Sequence, residues 1–298
     1  MPLKKGKKGE SNKSMDGVLD YLMSLLASGL NGFDKTLADS QDILAQPVGD
    51  AWTQILGLSA ILKPFCYVVI AICLLIELAN VASKVDVVKW EHGLKIAVKL
   101  ALSKVCIDIA PTFLQACYVQ ACDWITGIGK NEIKLGNKVL EQVEPLADQV
   151  DGFFTIFGLF ASMLLVVLAI KICGILVQVM AYGRMFELYA YLAVSPLPCS
   201  FFPLGDGTGG GFSRITGKFF RSFASVCLQG VMMILCMKIF GIIMSTAFTE
   251  MIQDAVNSGA EASVIISDLS FTMLMAAIVL CLSLARCGQW AKNILDAV

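Results

Sequence analysis

The chain has 298 residues, of which 57% are hydrophobic and 16% are charged. Soluble domains carry about 25% charged residues, so this composition, with a mean hydropathy of +0.73, indicates an integral membrane protein rather than a soluble enzyme. The net charge of −1 gives no overall indication of nucleic-acid binding. The length suits one bundle of about five membrane spans of about 20 residues each.

The first 50 residues differ from the rest of the chain. Five lysines lie within the first 13 residues, in a segment rich in Gly and Ser. Such a segment is typical of a disordered basic arm, which we place at residues 1–15. Over residues 16–34 leucines recur at helical spacing between acidic residues. This pattern predicts an interfacial amphipathic helix, with a helix packed on the protein as the alternative. Helix and linker together occupy residues 16–50.

Residues 51–298 contain the apolar segments and form the predicted transmembrane domain. The predicted spans are 54–83, 94–126, 152–182, 222–249 and 264–285. The second span is the most polar and cannot face lipid all round. We therefore predict an all-helical, polytopic membrane bundle, with an interfacial helix before it and a proline-broken half-helix within it.

Several charged residues lie inside these spans: Glu77, Lys95, Lys99, Lys104, Asp108, Lys171 and Lys238. A basic residue at the middle of a span costs about 2.5–3.5 kcal/mol on insertion scales. One interpretation is that these side chains line a polar path or bind an anion. The alternative is that each lysine pairs with an acid such as Glu77 or Asp108, or extends to the interface. The spacing of Lys104 and Asp108 permits pairing along one helix.

Between the third and fourth spans, residues 184–203 form an apolar segment broken by Pro196, Pro198 and Pro203. Such a segment predicts a half-helix that is buried in protein. The glycines of residues 205–211 match G-x-G-x-x-G, but no strand precedes them, so we take the match as chance. Basic residues concentrate around this segment, at Arg184, Arg214, Lys218 and Arg221. They predict that this segment and the C-terminus lie in the cytoplasm.

Motifs for catalysis are missing from the sequence. There is one histidine, and no P-loop, nucleophile-elbow or zinc-protease pattern. Most of the 11 cysteines lie in apolar runs without C-x-x-C spacing, so we expect free thiols that act as small apolar residues. We predict a protein that is not an enzyme and that uses no cofactor, apart from bound lipids.

Two segments resemble a known family. Residues 73–125 place a polar link and a basic helix after an apolar span that contains Glu77. Residues 183–240 run R-x-x-E-L-Y, then S-P-x-P, then F-x-R-S-F and a span beginning Q-G. Together with residues 281–295, they resemble the TrbL-like polytopic membrane proteins of conjugative plasmids and integrative elements, particularly those of Gram-positive bacteria. The residues that match the pattern are Arg184, Glu187, Tyr189, Pro196, Pro198, Arg221, Ser222, Gln229 and Gly230.

This resemblance implies an inner-membrane channel or platform subunit of a type IV secretion system. It also implies that the subunit acts together with an assembly ATPase and a coupling ATPase to move single-stranded DNA with a bound relaxase out of the cell. We expect a homo-oligomer in the bacterial cell membrane, in contact with membrane lipids, because five spans alone cannot easily enclose a wide channel. We expect partner docking at Arg184, Glu187, Tyr189, Pro196, Pro198, Arg214 and Arg221.

Two other function classes remain open. The first is a secondary transporter or ion channel for a small solute, which is disfavoured because the sequence shows no internal repeat. The second is a membrane-embedded enzyme, which is the weakest because nucleophile motifs and a histidine cluster are missing from the sequence.

Overall fold

The computed structural model describes residues 8–46, 49–84, 90–130, 141, 153–201, 213–259 and 261–296. All regular structure in these residues is helical, which confirms the predicted fold class. The helices are α1 (Lys8–Ala45), α2 (Gly49–Lys84), α3 (Trp90–Gly129), α4 (Phe153–Val194), α5 (Pro196–Ser200), α6 (Ser213–Asn257) and α7 (Ala262–Asp296).

Four stretches among the described residues are long and apolar enough to cross a membrane: Trp52–Ala79, Phe157–Ser200, Ile215–Ala255 and Ser263–Leu295. They overlap the first, third, fourth and fifth predicted spans. The second predicted span lies in α3, which forms a 40-residue helix. This helix is not among the four apolar stretches, so its crossing of the membrane stays a prediction.

Two helix boundaries differ from those predicted. Helix α1 begins at Lys8, so it includes the second half of the segment predicted as a disordered arm, whose residues 1–7 lie outside the described part. Helix α4 continues past Gly183 to Val194 and turns at Ser195. The change comes there because Pro196 and Pro198 have no backbone N–H to continue the hydrogen-bond ladder.

The chain divides into two compact units, of which the first comprises Met1–Asp42, Ile128–Met180 and Met233–Arg286. In this unit α1 runs parallel to α4. A Cβ atom on Gly29 would lie 3.0 Å from Val167, and one on Gly174 would lie 3.4 Å from Thr36. Because both contacts advance by the same number of residues, the two helices point the same way. Leu30, Phe33 and Leu37 are buried, so this half of α1 packs on the protein, as in the alternative considered above.

A disulfide bond joins α4 to α7 in the first unit, between Cys173 and Cys281, whose Cα atoms are 6.3 Å apart. The prediction of free thiols is therefore wrong for these two residues. The other nine cysteines form no disulfide bond among the described residues. The sequence shows no sign of this pair, because the two cysteines are 108 residues apart and each lies in an ordinary apolar run.

The second unit comprises Ile43–Gly127, Ala181–Met232 and Cys287–Val298. The Trp52 ring stacks on Tyr118 at 5.1 Å and meets the edge of Tyr189 at 5.8 Å. These contacts join the start of α2 to α3 and to the end of α4. Aromatic pairs of this kind contribute about 0.5–1.5 kcal/mol beyond the area that they bury. The short helix α5 packs against α2.

Replacing Gly29 by alanine tests the packing of α1 on α4. The new methyl group would lie 3.0 Å from Val167, a β-branched residue with one strongly preferred rotamer in a helix. The same change at Gly32 meets nothing within 4 Å in the described part of the chain, so it gains only helix propensity, about 1 kcal/mol. We expect Gly32→Ala to raise the melting temperature of the purified protein and Gly29→Ala not to raise it. Equal increases in the two variants would contradict the packing.

Candidate functional site

The most buried charge pair among the described residues joins α2 to α3 in the second unit. Lys99 Nζ donates a hydrogen bond to Glu77 Oε1 over 3.3 Å. The Glu77 side chain is 7% exposed and that of Lys99 is 22% exposed. The other oxygen of Glu77, Oε2, is buried without a hydrogen-bond partner among the described residues. A carboxylate this buried needs a cation, because solvent cannot stabilise its charge.

A second charge pair joins the same two helices nearer the start of α2. Lys63 Nζ lies 3.8 Å from Asp108 Oδ1, and the Tyr67 hydroxyl donates a hydrogen bond to the same oxygen over 2.7 Å. The partners run in opposite order along the two helices, so α2 and α3 are antiparallel. Asp108 therefore pairs with the neighbouring helix. The spacing had also permitted pairing with Lys104 on its own helix.

Lys95 and Lys104 have a different environment from Lys99. Both side chains are exposed, and neither forms an ion pair with an acid whose side chain the structure describes. Exposed apolar residues, such as Leu94 and Val105, lie beside them on α3. This face of α3 therefore combines apolar and basic side chains.

Lys238 lies in the first unit, where it binds the end of a helix. Its Nζ atom donates a hydrogen bond to the carbonyl oxygen of Gly129 over 3.1 Å. Gly129 is the last residue of α3, so its carbonyl belongs to the group that has no partner within a helix. The negative end of the helix dipole also attracts a cation there. The interpretations considered above did not include a backbone carbonyl oxygen as the partner of Lys238.

Lys171 lies in the middle of α4 and its side chain is exposed. The apolar residues on the same face are also exposed: Leu168 by 58% and Ile175 by 61%. Residues three and four apart share one face of a helix, so Lys171 interrupts an apolar stripe. Lipid alone would leave this ammonium group without a partner.

The segment expected to dock partners divides into packed and exposed residues. Arg184 Nη1 lies 2.6 Å from Glu187 Oε2, and both side chains are partly exposed. Tyr189 packs against Trp52, whereas Pro196 and Pro198 are buried, so these three residues have structural contacts in this unit. Arg221 is exposed. The side chain of Arg214 lies outside the described part.

An exposed aromatic residue of this segment was not predicted from the sequence. Phe186, inside the R-x-x-E motif, is 77% exposed, and Tyr182, one turn earlier, is 58% exposed. The apolar character of α4 hides them, because an aromatic residue in an apolar run gives no sign of the direction it faces. An exposed aromatic pair beside an Arg–Glu pair is typical of a surface that binds protein.

Two buried polar residues of α6, Ser225 and Gln229, are 3% and 2% exposed. Ser225 Oγ and Gln229 Nε2 have no hydrogen-bond partner among the described residues. Gln229 packs directly on Gly288 of α7, where an added Cβ atom would lie 2.5 Å from Nε2. Gln229 and Gly230 belong to the Q-G pattern noted in the sequence, so this pattern places an amide against a glycine between two helices.

The described residues of the site form ion pairs, hydrogen bonds and packing contacts. Within the described residues, histidine, cysteine and acidic side chains form no group of three that could hold a metal ion. The functional groups that the structure presents are the paired charges of α2 and α3, the exposed lysines of α3 and α4, and the aromatic face of α4.

Residues 45–196 match the model of a family described as TrbL/VirB6 plasmid conjugal transfer like protein. The match covers just over half of the chain and includes all of α2, α3 and α4. No curated protein matches the chain. No solved structure matches it either.

The pairing of Glu77 with Lys99 predicts strong coupling between the two positions. Glu77→Met alone leaves the Lys99 ammonium without its carboxylate, which costs about 3 kcal/mol when a buried pair is broken from one side. The double variant Glu77→Met, Lys99→Met removes both charges, and we expect it to recover most of that loss. Unfolding of the purified protein in denaturant measures the coupling free energy. The matched change Lys95→Met should have little effect.

The same variants separate a structural role of this pair from a role in transport. If the pair has only a structural role, the double variant should keep its activity in the cell, because neither charge is left without its partner. A double variant that folds normally and has lost activity would contradict that role and favour a polar path through Glu77 and Lys99.

Proposed function

The chain belongs to the family of TrbL/VirB6 plasmid conjugal transfer-like proteins, and we propose that it helps pass single-stranded DNA with a bound relaxase across the cell membrane. The family makes it a subunit of a conjugal transfer or type IV secretion system. Its four apolar helices support a multi-pass membrane protein. The observation that carries the proposal is the family match across α2, α3 and α4.

The proposed subunit is a non-catalytic channel or platform component. Its sequence contains no nucleotide-binding motif of the P-loop type, so the energy for transfer comes from partner proteins, an assembly ATPase and a coupling ATPase. We place the protein in the bacterial cytoplasmic membrane with its C-terminus in the cytoplasm. The basic residues between α4 and the apolar part of α6 support this orientation.

We also propose that several copies of the chain assemble into a homo-oligomer. Helix α2 is the least covered of the four apolar helices: 22% of its most apolar window is buried, against 39–44% for the others. Lys171, in an exposed apolar stripe of α4, adds an electrostatic argument. Exposure to lipid would cost it about 2.5–3.5 kcal/mol, so a second copy or a polar path at this face stabilises the ammonium group.

The sign of the exposed charges supports a polyanionic substrate. Lys171 on α4 and Lys95 and Lys104 on α3 are exposed at positions where a membrane protein otherwise presents apolar residues. Lysine and arginine attract phosphate groups without reading base sequence. We propose that Lys171 faces the path of the DNA, whereas Lys99 and Lys238 hold the helices together through their contacts with Glu77 and Gly129.

A charge series at Lys171 tests the polyanion path. We expect Lys171→Arg to keep conjugation near the level of the unmodified protein and Lys171→Glu to lower it about tenfold or more, because a carboxylate repels phosphate. Lys171→Leu should lie between them. Transfer frequency is measured alongside the amount of protein in the membrane.

Lys292→Glu, at an exposed position of α7, serves as the matched charge reversal and should transfer normally. Unchanged transfer by Lys171→Glu at normal expression would overturn the path. Improved membrane insertion of Lys171→Leu with normal transfer would instead indicate that this face meets lipid.

The docking surface in this proposal is the exposed face of α4 that contains Tyr182 and Phe186. The Arg184–Glu187 pair lies beside these rings, so the face has an apolar centre and a charged border. This combination favours a protein partner on the cytoplasmic side, which we take to be an ATPase or a neighbouring subunit. The buried residues Pro196 and Pro198 support the face without meeting the partner.

A photoreactive phenylalanine analogue at position 186 tests this docking. In donor-cell membranes we expect it to form a covalent adduct with an ATPase of the secretion system or with a neighbouring subunit. The same analogue at Phe271, an exposed phenylalanine of α7, is the control and should not form that adduct. Adducts of position 186 with only extracellular proteins or lipid would reject the docking surface.

A further inference from the structure

Two free cysteines of the second unit lie in direct contact. Cys106 Sγ on α3 and Cys199 Sγ on α5 are 3.0 Å apart, and neither belongs to a disulfide bond. Cys199 is fully buried, whereas Cys106 is half-buried. Cys106 is therefore the more accessible residue of the two.

The surroundings hold these sulfurs in place. The Ser103 hydroxyl donates a hydrogen bond to the carbonyl oxygen of Cys199 over 3.0 Å. The Thr216 hydroxyl of α6 donates one to the carbonyl oxygen of Pro198 over 2.7 Å. Helix α5 is thus attached to α3 and α6 and packs on α2. Ser103 and Cys106 are three residues apart on one face of α3, so the same face binds both the backbone and the sulfur of Cys199.

We propose that Cys106 and Cys199 form an oxidisable dithiol that ties α5 to α3 by a disulfide bond. The oxidant is a small organic disulfide. The Cys106 thiolate attacks one sulfur of the oxidant and expels a small thiolate, which leaves a mixed disulfide. The Cys199 thiolate then attacks the Cys106 sulfur and expels the second small thiolate. The two cysteines lose two protons and two electrons, and the oxidant is reduced to two small thiols.

The bond would act on the segment that follows the docking surface. Helix α5 begins directly after α4 and contains Pro196 and Pro198 of the S-P-x-P pattern. Its present ties are hydrogen bonds and packing, which can open and close again. A covalent tie to α3 removes that freedom and fixes the end of α4. Oxidation therefore restrains the segment beside the docking face, a consequence for DNA transfer that rests on the proposed function.

Bond formation is tested in membranes that contain the full-length protein. The membranes are treated with 2-hydroxyethyl disulfide, the protein is unfolded in denaturant so that every remaining free thiol is blocked with an alkylating agent, and it is then digested with trypsin. Cys199 is the sole cysteine of the tryptic peptide 185–214, and Cys106 lies in the peptide 105–130. We expect these peptides to be joined through Cys106 and Cys199 in the unmodified protein. Cys199 that stays alkylatable after oxidation, or that joins another cysteine, would overturn the proposal.

Two serine variants make the assignment specific. Cys106→Ser should abolish the joined peptides, whereas Cys117→Ser, a change at a half-buried free cysteine of the same helix, should leave them intact. Equal loss in both variants would overturn the assignment. Cys199→Ala is a second variant that removes the pair, in case serine at position 106 disturbs the packing.

The effect on transfer is measured in the same variants. Donor cells exposed to the oxidant should transfer about tenfold less often with the unmodified protein than with Cys106→Ser. Equal transfer despite complete bond formation would overturn the effect on function while leaving the chemistry intact. A donor strain that lacks the whole protein, assayed without oxidant, tests the proposed function separately. Normal transfer by that strain would reject the function and leave the peptide result unaffected.

Discussion

Hydrocarbon does not solvate a charged side chain, so each charge at membrane depth needs a partner, a polar path or a route to the interface. Two charge pairs between helices α2 and α3 supply such partners. Glu77 accepts a hydrogen bond from Lys99, and Asp108 meets Lys63 and the Tyr67 hydroxyl. The pairing explains how α3, which contains several charged residues, lies along the apolar helix α2. It also sets their antiparallel order.

Two further embedded lysines, Lys238 and Lys171, differ from each other under the same constraint. Lys238 donates to the carbonyl oxygen of Gly129, which the geometry of α3 leaves without a helical partner. Lys171 is exposed in the middle of an apolar stripe. Lys99 and Lys238 therefore hold helices together through these contacts. We propose that Lys171 meets another molecule in the assembled system.

The sequence was sufficient to predict the helical membrane fold, because long apolar runs require helices whose backbone bonds are satisfied internally. It could not predict which charges pair, since Lys99 and Glu77 meet across two helices and local spacing favoured contacts within one helix. The bond between Cys173 and Cys281 is hidden for the same reason. The exposure of Phe186 is hidden too, because a uniformly apolar helix has no sequence pattern that separates its covered face from its open one.

The environment of the Lys171 ammonium group in the assembled transfer system distinguishes a polar path from a surface that meets lipid. The most direct measurement is a cryo-electron microscopy structure of the complete membrane complex that resolves this side chain. Our account predicts that Lys171 Nζ faces a polar path or a carboxylate of a neighbouring subunit, within about 4 Å of a polar atom. A Lys171 side chain surrounded by lipid acyl chains, with its amine directed to the interface, would contradict the account.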